Sequence, residues 1–124
     1  MTRKNVNLAI LFWIAWTRAV FGEELAQPSW DDVDLIFQKR CINCHSEHGA
    51  AKGLRLDSYE AAIAGGENGA VMVAGNAAKS ELIRRLRGES TPRMPFLSTP
   101  LPQEEINFIV RWVNSGLSKA EVTD

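Results

Sequence analysis

Cysteine and histidine are scarce in this chain: its 124 residues hold only two of each. Two cysteines three positions apart would close a disulfide loop too short to constrain much of the unfolded chain. No run of alternating apolar and polar residues marks a strand, and Val71-Met72-Val73 is too short to decide. A thioredoxin-like redox pair, which needs C-x-x-C beside a βαβ pattern, therefore lacks its setting. There is no internal repeat. The glycines before Lys79-Ser80 fail the phosphate-loop spacing, because Ala78 stands where the glycine before the lysine belongs. No apolar run reaches the ~20 residues that a membrane-spanning helix requires.

What the chain does have is concentrated. Both cysteines and one of the two histidines lie in Cys41-Ile42-Asn43-Cys44-His45. This C-x-x-C-H spacing is the attachment signature of c-type haem. Two thiols three apart on a helical turn can bond to the two vinyl groups of one porphyrin, and the histidine that follows is placed as the proximal iron ligand. A zinc site built from Cys41, Cys44, His45 and His48 is the competing metal reading. Those four crowd into a turn and a half, whereas structural zinc sites usually bring ligand pairs from separate segments.

The N-terminus bears on the compartment. Arg3 and Lys4 precede the apolar stretch from Leu8 to Trp16, Arg18 interrupts it, and Val20-Phe21-Gly22 ends in a small residue. That order reads as a secretory signal peptide over residues 1–22, with Gly22 the last residue removed. The expected location is the periplasm or another exported compartment, with no stable membrane span after cleavage. No cysteine near the cut suggests a lipid anchor. Cleavage takes Arg3, Lys4 and Arg18 out of 14 basic residues, leaving 11 against 15 acidic ones. An acidic balance argues against nucleic acid, which calls for a basic face. Residues 23–124 make one small domain with a limited core, to which a covalently held haem would add an apolar centre.

Helical signals recur along that domain. Ser29 or Asp31 can cap a first helix running to about Arg40, with Val33, Ile36, Phe37 and Arg40 on one face. Phe37 stands four residues before Cys41 and so lies on its side of the helix. Gly49 to Gly53 reads as a loop. Asp57 and Glu60 resemble a capping box for a short helix from Tyr59 to Ala64, stopped by Gly65-Gly66. A further helix is expected from after Asn76 to about Arg87, with Leu82, Ile83 and Leu86 inward. The last begins at Pro102, buries Ile106, Ile109, Val110 and Val113 with Trp112 flanking, and stops at Gly116. The fold class is all-α.

A second chemical site lies in Pro92-Arg93-Met94-Pro95. A thioether in a proline-braced loop between helices suits a sixth iron ligand, because proline restricts the backbone. Met72, set between valines, reads as core, and His48 stands too near His45 to reach the opposite haem face. A plain core-filling role for Met94 is the alternative. Arg84, Arg85, Arg87, Arg93 and Arg55 are candidates to meet haem propionates, against the simpler expectation of solvated arginines. His45 needs its second ring nitrogen fixed, and a backbone carbonyl in the Gly49–Leu54 loop is the natural acceptor.

In order, Cys41–His45, Gly53-Leu54-Arg55-Leu56-Asp57, Gly65-Gly66, Ala74-Gly75-Asn76, Ser80–Leu86, Arg93-Met94-Pro95 and Arg111-Trp112-Val113 before Gly116 carry a family resemblance. Over about residues 33–117 the chain resembles a class I c-type cytochrome, most closely the planctomycete-type cytochrome c domain. The resemblance implies a small helical domain wrapped around one covalently attached haem c, with Cys41 and Cys44 as attachment points. It places His45 and Met94 as the axial ligands. Phe96 departs from the family, which usually has a second proline there, and in that family the domain often sits inside larger proteins.

The expected function is therefore single-electron transfer between redox protein partners by a carrier, not an enzyme. The sequence shows no separate acid–base or nucleophile constellation. A haem enzyme or a redox or gas sensor with a labile Met94 is the alternative. The acidic net charge suggests a partner with a basic docking surface.

Overall fold

The computed structural model describes residues 26–120. The proposed signal at residues 1–22 lies outside them. Four α-helices are present: α1 (Trp30–Arg40), α2 (Tyr59–Ala64), α3 (Glu81–Arg87) and α4 (Gln103–Asn114). Two-residue strands β1 (His45–Ser46) and β2 (Gly49–Ala50) and two short 3-10 turns complete the regular structure. The chain is helix-rich, as its patterning implies. The ribbon is the departure: the expected loop from Gly49 begins as β2, antiparallel to β1 with His45 opposite Ala50 and Ser46 opposite Gly49.

Ser29, not Asp31, occupies the cap of α1, where its amide and hydroxyl both donate to the Asp32 carboxylate at 2.9 and 3.0 Å. Asp31 and Asp32 in the first turn and Lys39 and Arg40 in the last complement the helix dipole at both ends. Trp30, Val33 and Phe37 turn inward, and Cys41 closes the helix with its N–H on the Phe37 carbonyl at 2.8 Å.

α4 packs against α1. The amide of Trp30, at the start of α1, donates to the Ser118 carbonyl beyond the end of α4 at 2.9 Å. At the opposite end the Arg40 guanidinium forks onto both carboxylate oxygens of Glu105, at 2.9 and 3.0 Å. Between these ties Trp30, Phe37 and Trp112 meet, with ring centroids 5.7 to 6.3 Å apart. Trp112 is wholly buried and Val110 only half-buried, so the expected roles of these two are exchanged. The reason is the polar tip: the indole N–H of Trp112 reaches the same Ser118 carbonyl at 2.9 Å, which lets the ring sit in the core without an orphaned donor.

Two further boundaries differ from expectation. The Ser58 hydroxyl, not Asp57, caps α2 by accepting the Ala61 amide at 3.3 Å. The helix expected after Asn76 is split at Ser80 into a 3-10 turn, Ala77–Lys79, and α3. Ser80 is fully buried; its hydroxyl accepts the Val73 amide at 2.8 Å and donates to the Asn76 carbonyl at 2.9 Å. Those local bonds compete with helical continuation, as serine side chains commonly do. They also fix the extended Val71–Val73 segment, so that Met72 is buried in the core as its flanking valines imply.

Trp112→Ala removes an aromatic that touches two others and leaves the Ser118 carbonyl one donor short. It is expected to cost about 3–5 kcal/mol of stability, read by chemical denaturation. Leu35→Ala, at a side chain 69% exposed, should change stability by less than about 0.5 kcal/mol.

Candidate functional site

The chain leaves α1 in a tight turn. The amides of Cys44 and His45 both donate to the Cys41 carbonyl, at 3.2 and 3.0 Å, so helical curvature continues past Arg40. Residues 41, 44 and 45 thereby stand at the spacing that shares one side of a helical turn. Both thiols are free. Cys44 is exposed, while Cys41 is half-buried and packs against the core. Burial pushes the Cys41 thiol up to about 12, with Arg40 drawing it down and Glu105 adding to the rise.

His45 is the best-anchored residue of the turn. Its ring Nδ1 lies 3.1 Å from the Leu54 carbonyl oxygen. A carbonyl only accepts, so Nδ1 carries the proton and Nε2 keeps the lone pair that can bind a metal. The acceptor lies in the Gly49–Leu54 loop, where it was expected. The backbone is held as well: Leu56 donates to the His45 carbonyl at 2.8 Å and Ala51 to that of Cys44 at 2.9 Å. His48 is exposed at the ribbon turn. Among the described residues no group of three or more His, Cys, Asp or Glu side chains is gathered to hold a metal ion.

Met94 is half-buried against the core, and its amide donates to the Arg85 carbonyl at 3.0 Å. The Arg85 guanidinium in turn donates to the Pro92 carbonyl at 3.3 Å. The methionine loop is thus strapped to α3 from both chains of atoms. Phe96 and Leu97, just beyond it, are 59% and 91% exposed.

Four of the five arginines named as propionate partners, Arg55, Arg84, Arg85 and Arg93, have protein partners of their own. Arg55 pairs with Asp57, whose carboxyl the guanidinium and the Glu47 amide together hold below the usual carboxylate range. Arg84 and Arg85 both reach Glu81, and Arg93 donates to the Arg87 carbonyl at 3.1 Å. The ion pair nearest the cysteines, Arg40 with Glu105, was not anticipated. Its signal was an arginine on the apolar face of the first helix and a glutamate in the first turn of the last. Two surface hollows of about 480 Å³ lie between Ser29 and Lys119 and between α1 and α4; neither is lined by Cys41–His45 or by Met94.

Two free thiols three apart, an imidazole with its metal-binding nitrogen available, and a half-buried thioether form a donor set that fits haem iron and its vinyl groups. Residues 41–95 match the family model described as Planctomycete cytochrome C. Over this stretch, rather less than half of the chain, the sequence is similar to that cytochrome c family. The match starts at the first cysteine and ends at the proline after Met94, leaving α1 and α4 outside it. No curated protein and no solved structure matches the chain. Among the described residues no helix is long and apolar enough to cross a membrane.

The Arg40–Glu105 pair beside Cys41 should make stability depend on pH. Arg40 holds the Glu105 carboxyl below its ordinary value. Such a group stabilises the fold above its unfolded pKa, and that contribution is lost as pH falls through the folded one. Glu105→Gln should lower the melting temperature modestly at neutral pH, and the gap to the unmutated protein should close on acidification. A gap that persists unchanged in acid would show that the charge is not its source.

Proposed function

We propose that the chain is an exported monohaem c-type cytochrome that carries single electrons between redox protein partners. The observation that carries this reading is the Cys41–His45 turn within the stretch similar to the cytochrome c family, with both thiols free and the imidazole tied through Nδ1. Residues 1–22 act as the export signal, and residues 23–124 form the haem domain. Cys41 and Cys44 hold the porphyrin through thioether bonds, and His45 Nε2 is the proximal ligand. Met94 is the sixth ligand; its soft sulfur favours the reduced iron. Bound there, haem supplies an iron that alternates between ferrous and ferric states. The Leu54 carbonyl keeps the His45 ring in the tautomer that iron requires, and the ties from α3 to the Met94 loop limit how far the thioether can move. His45 and Met94 together would hold such an iron and leave no position for a substrate, which suits electron transfer rather than catalysis.

In cells competent for cytochrome maturation the protein should emerge coloured, with haem retained through denaturing electrophoresis. Cys41→Ala together with Cys44→Ala should abolish retention. A colourless zinc-loaded product would refute the cofactor assignment.

Met94 decides between a carrier and the alternative of a haem enzyme or sensor with a labile ligand. The unmutated protein should be low-spin and six-coordinate in both oxidation states. Met94→Ala should admit carbon monoxide and make the iron easier to oxidise, since a soft donor to ferrous iron is lost. Met72→Leu and His48→Ala should leave the visible spectrum nearly unchanged. Rapid carbon monoxide binding by the unmutated ferrous protein at neutral pH would favour the enzyme or sensor.

A further inference from the structure

The carbonyl beneath the His45 ring belongs to a loop that another part of the chain holds in place. Lys52 and Gly53 are successive residues in the left-handed region, with φ of 56° and 72°. Leu54 follows, its carbonyl 3.1 Å from His45 Nδ1. The Lys52 carbonyl accepts the amide of Glu67 at 2.8 Å. Gly66, the neighbour of Glu67, presses against the same peptide: a Cβ there would lie 2.7 Å from the Lys52 oxygen and 3.4 Å from both the amide nitrogen and Cβ of Leu54. Real side chains do not approach that closely, so any residue larger than glycine must push the Lys52–Leu54 segment away. Gly66 is itself backed by the folded loop it starts, exchanging two backbone hydrogen bonds with Gly69 at 3.0 Å each. At Gly65 a Cβ would fall 2.1 Å from the Gly69 oxygen, so this backing loop has no room either.

We propose that Gly66 and the Glu67 amide are positioning residues for His45: by clamping Lys52 they fix the Leu54 carbonyl under the imidazole and so set how strongly His45 donates to iron. This rests on the haem reading above and extends it to residues more than twenty positions away in sequence. A hydrogen bond at the far nitrogen of a ligating histidine fixes the ring and raises its basicity. A more basic axial ligand stabilises ferric iron and lowers the potential. The loop after α2 therefore acts on the midpoint potential without touching the haem-attachment turn.

The test compares the haem-loaded full chain with Gly66→Ala and, as a control, Gly49→Ala. At Gly49 an added Cβ meets nothing nearer than the Asn43 oxygen at 3.7 Å. Gly66→Ala should shift the midpoint potential upward and speed exchange of the His45 Nδ1 proton seen by NMR, while Gly49→Ala leaves both unchanged. A loss of melting temperature with unaltered potential and unaltered Nδ1 exchange would overturn the proposal. Should Gly66→Ala fail to fold, the unmutated holoprotein still decides. The Glu67 amide must exchange with solvent much more slowly than in the urea-unfolded chain, and free exchange there overturns the clamp. A chain that carries no haem overturns both readings together, whereas a haem-loaded Gly66→Ala with unchanged potential overturns this one alone.

Discussion

α1 and α4 pack against each other and are tied at two places, by the Ser118 carbonyl at one and by the Arg40–Glu105 fork at the other. Between the ties three large aromatics fill the crossing. The consequence for the site is positional: the last residue of α1 is Arg40, and Cys41 is its cap. Once α1 is fixed against α4, the origin of the Cys41–His45 turn has little freedom left. The pairing also explains how a domain this small contains a core at all. Trp30, Phe37 and Trp112 are its largest buried side chains, and they come from elements far apart in sequence. Both helices lie outside the span that matches the cytochrome c family. They are the frame that holds the matched part.

Much of this was legible in the amino-acid order, for physical reasons that vary by residue. The ends of α1, α2 and α4 follow from caps, acidic first turns and glycine stops, all of which act locally. The Nδ1 acceptor of His45 was confined to one short loop because the chain between a ligand and its carbonyl partner is short. The departures come where a side-chain hydrogen bond overrules the helical pattern. Asp57 looked like a helix cap, but its carboxylate is taken by Arg55 and by the Glu47 amide across the loop, leaving Ser58 to cap. Ser80 sat inside an apparently continuous helical pattern, yet its hydroxyl closes a bond to Val73 and splits the helix. The stripe pattern puts Trp112 at its flank, since no periodicity shows that a carbonyl six residues onward receives its N–H. The ribbon at His45–Ala50 was invisible because two residues per strand leave no pattern to read.

The glycines show a different limit. Gly65-Gly66 reads locally as a helix stop, and it is one; Gly65 caps α2 with φ of 82°. Nothing in the order of residues says that the second glycine also meets a peptide bond fourteen positions earlier. A stop needs only one residue with conformational freedom, whereas close approach needs the absence of a side chain. These two demands fall on adjacent positions, so the pair satisfies both at once. The connection then runs from the end of α2 through the Lys52 carbonyl to Leu54 and on to the imidazole, entirely by backbone atoms. Side-chain substitution along that route leaves the hydrogen bonds available everywhere except at the glycines. The orientation of His45 is for that reason coupled to where α2 ends, and α2 is tied through the Tyr59 hydroxyl to the Leu117 carbonyl beyond α4. The same helix crossing that positions the cysteines thus also anchors the far side of the histidine's support, so the three residues of the turn are referred to a single rigid frame.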